Sequence, residues 1–214
     1  MLKSDEYYAG IRKDILPLLP DKLNRVLEIG CGTGGTLKWL KDRYGCEWVG
    51  GVELYPDAAK QARNKLDVVY EGNIERMDLP IVPSTLDLIL CLDVLEHLVD
   101  PWRVTSFLQK LLKPGGALII SVPNIRNRDI LFPLLFKGKW DYTEAGVLDK
   151  THLRFFVRRT AIELVESSGL TVDKVGATGL ERKTKKSRIF ISLLPDYIKS
   201  FLVLQYLIRG IKTI

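Results

Sequence analysis

Near its start the chain reads Arg25-Val-Leu-Glu-Ile-Gly-Cys-Gly-Thr-Gly-Gly35, and this stretch decides the fold. The apolar run at Arg25 to Glu28 predicts a buried strand, and the glycines after it predict a tight turn that leads into a helix. Glycines let a backbone approach a ligand closely, and the bare amide groups at a helix start face that ligand. The stretch therefore predicts a site for a nucleotide-like cofactor.

The glycine spacing in this turn fits two cofactor classes. Both Gly-x-Gly-x-Gly and the dinucleotide pattern Gly-x-Gly-x-x-Gly are satisfied by the glycines at positions 30, 32, 34 and 35. Glu53 ends the second predicted strand, where a carboxylate can accept hydrogen bonds from both ribose hydroxyls in either class. These residues alone do not separate the two cofactors.

Apolar runs alternate with helical patterns along the chain, which predicts a parallel sheet with helices on both faces. Further strands are predicted at Glu47 to Val52, Val68 to Tyr70, Leu86 to Leu92, Ala117 to Val122 and Thr171 to Val175. Helical faces are predicted at Leu37, Leu40 and Tyr44, at Val104 to Leu112, which Pro114 to Gly116 end, and within Thr160 to Gly169, with Thr160 as N-cap.

The composition is that of a soluble globular protein, with 46% hydrophobic and 27% charged residues in a chain of 214. It predicts a single domain over residues 1–214. Cys31, Cys46 and Cys91 are odd in number and far apart, which predicts reduced thiols and a cytoplasmic location. The polar N-terminus predicts no signal peptide, and no apolar run reaches the roughly 18 residues of a membrane span.

The net charge of +6 includes a basic cluster at Arg182, Lys183, Lys185, Lys186 and Arg188. A solvated loop explains this cluster better than a nucleic-acid site, because no aromatic residues are interleaved for base stacking. Contact with a membrane surface stays an alternative, and the oligomeric state is open. Two histidines and scattered carboxylates show no ligand spacing, so no metal site is predicted.

Five motifs follow one another between Val26 and Asn124: VLEIGCGTGG, GVEL, GNIE, DLILCLDVLEHL and LKPGGALIISVPN. In order and spacing they resemble the cofactor half of class I S-adenosylmethionine-dependent methyltransferases. The resemblance implies a Rossmann-like α/β fold, with a mostly parallel seven-stranded sheet and an antiparallel C-terminal strand. It also implies S-adenosylmethionine as cofactor and S-adenosylhomocysteine as product. A nicotinamide dehydrogenase, which would need a second mononucleotide-binding half, and a cofactor-binding partner protein without turnover are the rivals.

The resemblance places Gly30, Cys31 and Gly32 against the methionine part of the cofactor, Glu53 on the ribose, and Asn73 with Ile74 at the adenine. Asn73 stands where the family often has Asp, and its amide oxygen can accept from the adenine amino group. An N-terminal helix with Tyr7, Tyr8 and Arg12 is expected to cover the cofactor carboxylate, or simply to pack. The predicted cofactor set is Tyr8, Arg12, Glu28, Gly30, Cys31, Gly32, Gly34, Glu53, Leu54, Asn73, Ile74, Asp93 and His97.

Three residues are predicted to act in catalysis: Asp93, Asp149 and His152. Asp93 follows the fourth strand, at the carboxyl edge where open α/β sheets bind ligands. His152 is the predicted general base, because imidazole titrates near neutral pH, and Asp149 is expected to orient its ring. The alternative is that both residues only tie a loop to the sheet. His97 either orients the cofactor carboxylate or packs as a structural residue.

Two segments depart from the alternation of strands and helices. Ile125 to Lys150 is predicted to be an insertion that forms the acceptor wall, with a packing appendage as the alternative. Trp140 to Phe156 resembles a segment of methyltransferases from sugar and cell-surface polysaccharide pathways. Leu204 to Lys212 is predicted to be the antiparallel last strand, after a helical excursion over residues 187–202 whose apolar side packs or touches lipid.

Together these expectations describe an enzyme that methylates a hydroxyl of a small or glycosidic acceptor by in-line displacement, without a metal. A quinone or small phenol as acceptor is the alternative.

Overall fold

The computed structural model describes residues 10–179 and 194–213, and in them seven strands form one sheet. The strands are β1 (Arg25–Ile29), β2 (Trp48–Glu53), β3 (Val68–Glu71), β4 (Leu86–Leu92), β5 (Leu112–Pro123), β6 (Thr171–Thr178) and β7 (Gln205–Ile211). Their order across the sheet is β3-β2-β1-β4-β5-β7-β6. The first five strands are parallel, and β7 runs antiparallel to both of its neighbours, β5 and β6. The predicted fold class is confirmed.

Helices cover both faces of this sheet. They are α1 (Gly35–Tyr44), α2 (Pro56–Ala62), α3 (Pro101–Leu111), α4 (Arg128–Lys137), α5 (Arg158–Glu166) and α6 (Asp196–Lys199), with 3-10 helices at Lys13–Leu18 and Leu95–His97. Side chains of β4 alternate between two hydrophobic clusters, since Ile89 and Cys91 pack on the α3 and α5 side while Leu88 and Leu90 pack on the α1 side. This burial on both faces is what a parallel sheet requires.

The last strand, β7, confirms the prediction for Leu204 to Lys212. Gly210 lets α5 pack closely, because a Cβ atom there would lie 2.4 Å from Cγ1 of Val165. Arg209 is buried and donates to the carbonyl oxygen of Leu18 at 2.9 Å and to the carboxylate of Asp173. The hydrogen bond from Arg209 lowers the pKa of Asp173. Through Arg209, β7 therefore connects β6 with the 3-10 helix Lys13–Leu18 near the start of the chain.

The helix predicted to begin at Thr160 begins two residues earlier, and Val157 is its N-cap residue. Thr160 lies inside the first turn, where its hydroxyl accepts from the N–H of Val157 at 3.1 Å. The threonine thus satisfies an amide at the helix start, but from within the helix rather than from the N-cap. Gly169 lies three residues beyond the helix end at a φ of +89°, which favours glycine.

The insertion from Ile125 to Lys150 contains α4, and no residue of α4 is buried. Phe136 keeps 79% and Leu135 keeps 64% of its surface exposed. These two side chains do not extend the core, whereas Ile130 and Leu131 are partly buried. The acceptor wall therefore stays a prediction, with the packing appendage as its alternative. Of the predicted excursion over residues 187–202, only the part from 194 lies within the described residues, where it forms the short helix α6. The basic cluster at 182–188 lies outside the described residues.

No described helix has both the length and the apolar character that crossing a bilayer requires.

Candidate functional site

The turn between β1 and α1 has the backbone that only glycines adopt easily. Gly30, Gly32 and Gly34 have φ values of +70°, +54° and +78°. A Cβ atom on Gly30 would lie 2.5 Å from Cγ2 of Val94, so this position also excludes a side chain on steric grounds. The glycines predicted from the spacing are therefore required by the fold of the turn itself.

The turn is fixed against β2 by hydrogen bonds. The N–H groups of Gly30 and Cys31 donate to the carbonyl oxygen of Val52 at 2.8 and 3.1 Å. Gly32 donates to Oε2 of Glu53 at 2.8 Å, and the N–H of Tyr55 donates to Oε1 at 3.0 Å. A carboxylate has about four lone-pair positions, so Glu53 can still accept from a ligand. Its ribose contact stays a prediction, and it has a second role in shaping the turn.

Glu28 lies at the end of β1 with 3% of its surface exposed. Among the described residues its Oε2 atom has no hydrogen-bond partner. Burial raises the pKa of this carboxyl to about 8, the charge of Arg12 lowers it, and the charge of Glu53 raises it further. A buried carboxyl beside the glycine turn favours a ligand that carries positive charge.

We expect the substitution Glu28→Gln to change how the stability of the cofactor-free protein depends on pH. Because the folded pKa lies above the ordinary value of 4.5, protonated Glu28 stabilises the fold at low pH, and this contribution is lost as the pH rises through about 8. The variant should therefore gain stability over the wild type between pH 5 and 9, by about 1.4 kcal/mol per unit of pKa shift at most. Denaturant unfolding at several pH values measures this gain.

The matched control for that experiment is Glu166→Gln, since Glu166 is exposed at the end of α5. The control should show no such gain. A Glu28→Gln variant that tracks the wild type at every pH would mean that Glu28 is already ionised in the folded protein.

The predicted adenine end of the site consists of Leu54, Asn73 and Ile74. Leu54 directly follows Glu53 and is half exposed, and Ile74 is buried. The amide oxygen of Asn73 accepts from the N–H of Glu75 at 2.8 Å. This contact turns the oxygen toward its own loop, so the amide NH₂ group is better placed to reach a ligand than the predicted oxygen. This orientation of Asn73 favours donation from its NH₂ group to a ring nitrogen of adenine.

Asp93 holds the carboxyl edge of the sheet together. Its Oδ2 atom lies 2.6 Å from a guanidinium nitrogen of Arg12, and its Oδ1 atom accepts from Ser121 and Gln205 at 2.8 Å each. The backbone has a φ of +58°, which is rare outside glycine. Asp93 was predicted near the reacting centre, and its carboxylate is engaged by three other segments. These contacts fix the position of its carboxylate, and its place near the reacting centre stays a prediction.

Arg12 also forms a salt bridge with Asp14 at 2.8 Å. It directly precedes the 3-10 helix Lys13–Leu18. Arg12 is therefore not on a described α-helix, contrary to the prediction. Tyr8 lies outside the described residues. Cys31 is buried beside the turn, and burial raises the pKa of its thiol, which keeps it neutral. It packs near the glycines as a small uncharged group.

Both histidines of the chain pack against each other, with ring centroids 4.7 Å apart. Nδ1 of His97 lies 3.2 Å from the carbonyl oxygen of Thr151, and Nδ1 of His152 lies 2.9 Å from that of Val147. A carbonyl oxygen only accepts, so each Nδ1 carries a proton and each Nε2 is the basic nitrogen of a neutral ring. Nε2 of His152 lies 3.9 Å from the buried carboxylate of Glu96.

The predicted pair of Asp149 and His152 has a different arrangement. Asp149 accepts from the backbone N–H and the hydroxyl of Thr151 at 2.9 and 2.7 Å. That hydroxyl lies 3.0 Å from Nδ1 of His97, so Asp149 acts on His97 through Thr151. His152 is buried, whereas His97 is partly exposed. His97 is therefore the more accessible base, where the sequence predicted His152.

Glu96, His97 and His152 can also hold a metal ion, since one ligand atom of each lies within 4.8 Å of the others. Spacing along the chain did not reveal this cluster, because His152 comes from a distant loop. The loop is fixed there by the N–H groups of Leu153 and Arg154, which donate to the carbonyl oxygen of Glu96 at 2.8 and 3.0 Å. The absence of a metal stays a prediction.

The chain is similar to known methyltransferases. Residues 3–175 match the family model described as a methyltransferase domain. A ubiquinone biosynthesis O-methyltransferase of Burkholderia vietnamiensis is 32% identical over 166 residues, which cover 71% of this chain and 70% of the relative.

Solved structures share the fold. A Thermotoga maritima methyltransferase, described as S-adenosylmethionine-dependent and a possible histamine N-methyltransferase, is 24% identical with a TM-score of 0.63, over 97% of this chain and 89% of its own. Haemonchus contortus phosphoethanolamine N-methyltransferase 2, solved with S-adenosyl-L-methionine, is 17% identical with a TM-score of 0.62, over 94% of this chain and 52% of its own.

The glycine turn and the buried carboxylates of Glu28 and Glu53 lie at the carboxyl edge of a sheet that has helices on both faces. This arrangement is typical of α/β enzymes that bind a cofactor with a nucleoside part. The chain belongs to the methyltransferase domain family, and it is an S-adenosylmethionine-dependent methyltransferase. This family membership excludes the nicotinamide dehydrogenase that the glycine spacing had left open. These relatives do not show the predicted sugar and polysaccharide subgroup, since their names refer to ubiquinone biosynthesis.

Proposed function

We propose that the enzyme transfers the methyl group to a hydroxyl of a small aromatic acceptor, with His97 as general base. The single observation that carries this proposal is the contact of Nδ1 of His97 with the carbonyl oxygen of Thr151, at 3.2 Å. It orients the ring and directs the basic Nε2 nitrogen away from Thr151. A base helps most when the acceptor is a hydroxyl, because the oxygen must lose its proton as it attacks.

The bound cofactor supplies a methyl group on a positively charged sulfonium sulfur. The buried carboxyl of Glu28, with an oxygen that has no partner among the described residues, fits this charge. Glu53 would accept from the ribose, and Gly30 to Gly34 would let the backbone approach the methionine part. Methyl transfer is an in-line displacement, so holding both reactants in line supplies most of the rate.

In this proposal the buried groups behind His97 stabilise the proton that it takes up. Asp149 orients the Thr151 hydroxyl, which contacts Nδ1 of His97. Glu96 is buried behind His152, and its carboxyl lies 3.9 Å from Nε2 of that ring. His152 therefore acts through His97 rather than on the acceptor.

An aromatic acceptor is supported by the names of relatives that are 30 to 32% identical over 166 residues, all ubiquinone biosynthesis O-methyltransferases. This favours the quinone or small phenol that the sequence left as the alternative. A glycosidic hydroxyl is the second candidate, and the resemblance of Trp140 to Phe156 to sugar-pathway enzymes favours it.

The test uses S-adenosylmethionine with a deuterated methyl group and two acceptor sets, catechols with hydroquinones and simple methyl glycosides. Mass spectrometry should find the label on a phenolic oxygen, and the Glu53→Ala variant should form much less product. Label only on the glycosides would select the second candidate. Absence of label from both sets, with S-adenosylmethionine bound, would contradict hydroxyl transfer to these acceptors.

A further inference from the structure

An exposed apolar surface lies beside the proposed acceptor side of the enzyme. It is formed by α4 and the side chains next to it, and we call it the α4 surface. Its exposed members are Phe132, Leu134, Leu135, Phe136, Tyr142, Leu153, Phe155 and Tyr197. Single exposed apolar residues are ordinary, but a continuous group of this kind marks a binding surface.

Aromatic rings of this group contact one another across separate segments. Phe132 lies 5.9 Å from Phe136 within α4 and 6.1 Å from Phe201, which follows α6. Trp140 lies 5.6 Å from Phe155. The first two contacts join α4 to the segment after α6, and the third joins Trp140, three residues after α4, to the segment before α5.

The charges around this surface are mostly positive. Between residues 126 and 139 the chain has four basic residues, Arg126, Arg128, Lys137 and Lys139, against the single acid Asp129. Two of these cations form ion pairs, Arg128 with Asp129 at 3.5 Å and Lys139 with Asp141 at 2.9 Å, so Arg126 and Lys137 supply the excess positive charge. Arg128 and Lys137 are the two ends of α4, and both are exposed. Exposed aromatic and leucine side chains with cations at their edge match an anionic bilayer, whose head groups attract the cations while the rings enter the acyl boundary.

We infer that the α4 surface docks the enzyme on an anionic phospholipid bilayer. A helix of 10 residues is too short to span the hydrocarbon core, so α4 lies in the interface. Docking through Leu135 and Phe136 turns the carboxyl edge of the sheet toward the lipid, because α4 begins soon after the end of β5. The inference does not depend on the chemical identity of the acceptor.

The experiment is co-sedimentation with phosphatidylcholine vesicles, with and without a quarter of phosphatidylglycerol. We expect the protein to sediment with the anionic vesicles and to remain in solution with the neutral ones. Leu135→Ser with Phe136→Ser should lower the partition coefficient about tenfold or more, since both side chains lose apolar burial. Lys137→Gln with Lys139→Gln should weaken binding and its dependence on salt.

The matched control is Val82→Ser, because Val82 is 69% exposed and lies before β4, at the opposite edge of the sheet. It should bind like the wild type. Wild-type protein that stays in solution with anionic vesicles, or an α4 double variant that binds unchanged, would overturn the inference. The inference would also be overturned if light scattering showed a dimer that the α4 double variant dissociates and that vesicles leave intact. A second copy of the chain would then cover this surface.

Discussion

Removal of residues 204–214 is expected to abolish cooperative folding of the whole domain. The deletion takes away β7, which lies between β5 and β6 and pairs with both. Tyr206, Leu207 and Ile208 are buried, and a fully buried large apolar side chain contributes about 1.5 to 3 kcal/mol. Their loss, with the unpaired strand edges, approaches the roughly 5 to 15 kcal/mol by which domains are stable.

Thermal melting and near-ultraviolet circular dichroism measure this effect on the soluble protein. The control deletes only residues 213 and 214, which follow the strand, and should melt like the parent. A protein without residues 204–214 that melts cooperatively at the parent temperature would mean that β7 does not hold the sheet together.

Turnover is expected to fall about 10² to 10⁴-fold in His97→Ala, because that is the usual contribution of a general base. Cofactor affinity should change little. His152→Ala should lose less, since His152 is buried behind His97 and faces Glu96 at 3.9 Å. Steady-state kinetics on the labelled acceptor measures both variants.

The reverse result, a near-normal His97→Ala and a strongly impaired His152→Ala, would return the base to the residue predicted from sequence. Chelation separates the base from a metal site at Glu96, His97 and His152. Activity that survives EDTA agrees with the base, and activity lost to EDTA and restored by a divalent cation contradicts it.

The cofactor half of the enzyme could be predicted from sequence because its residues are local. The glycines from Gly30 to Gly34 and Glu53 belong to strand ends, and a parallel sheet brings strand ends to one edge whatever the loops do. The last strand was predictable for a similar reason, since Tyr206, Ile208 and Ile211 suit a buried strand and Gly210 disfavours a helix.

The catalytic side could not be predicted to the same depth because its contacts are distant in sequence. Asp93 meets Arg12 and Gln205, which come from opposite ends of the chain. His97 meets the loop of His152 only because that loop folds back on the 3-10 helix before α3. No spacing rule encodes such contacts. The Asn73 amide oxygen also accepts from a neighbour in its own loop, which no spacing indicates, and its adenine contact stays a prediction.

The central claim is that the turn from Gly30 to Gly34, together with Glu53, holds S-adenosylmethionine. Titration calorimetry with S-adenosylhomocysteine tests it most directly, on the wild type, on Glu53→Ala and on the control Glu47→Ala, which changes an exposed residue at the other end of β2. We predict one binding site per chain and an unchanged affinity in the control. The affinity of Glu53→Ala should be lower by at least about tenfold, since hydrogen bonds to a charged group contribute about 1.5 to 3 kcal/mol each. Equal affinity in all three proteins, or binding of a nicotinamide dinucleotide in place of S-adenosylhomocysteine, would contradict it.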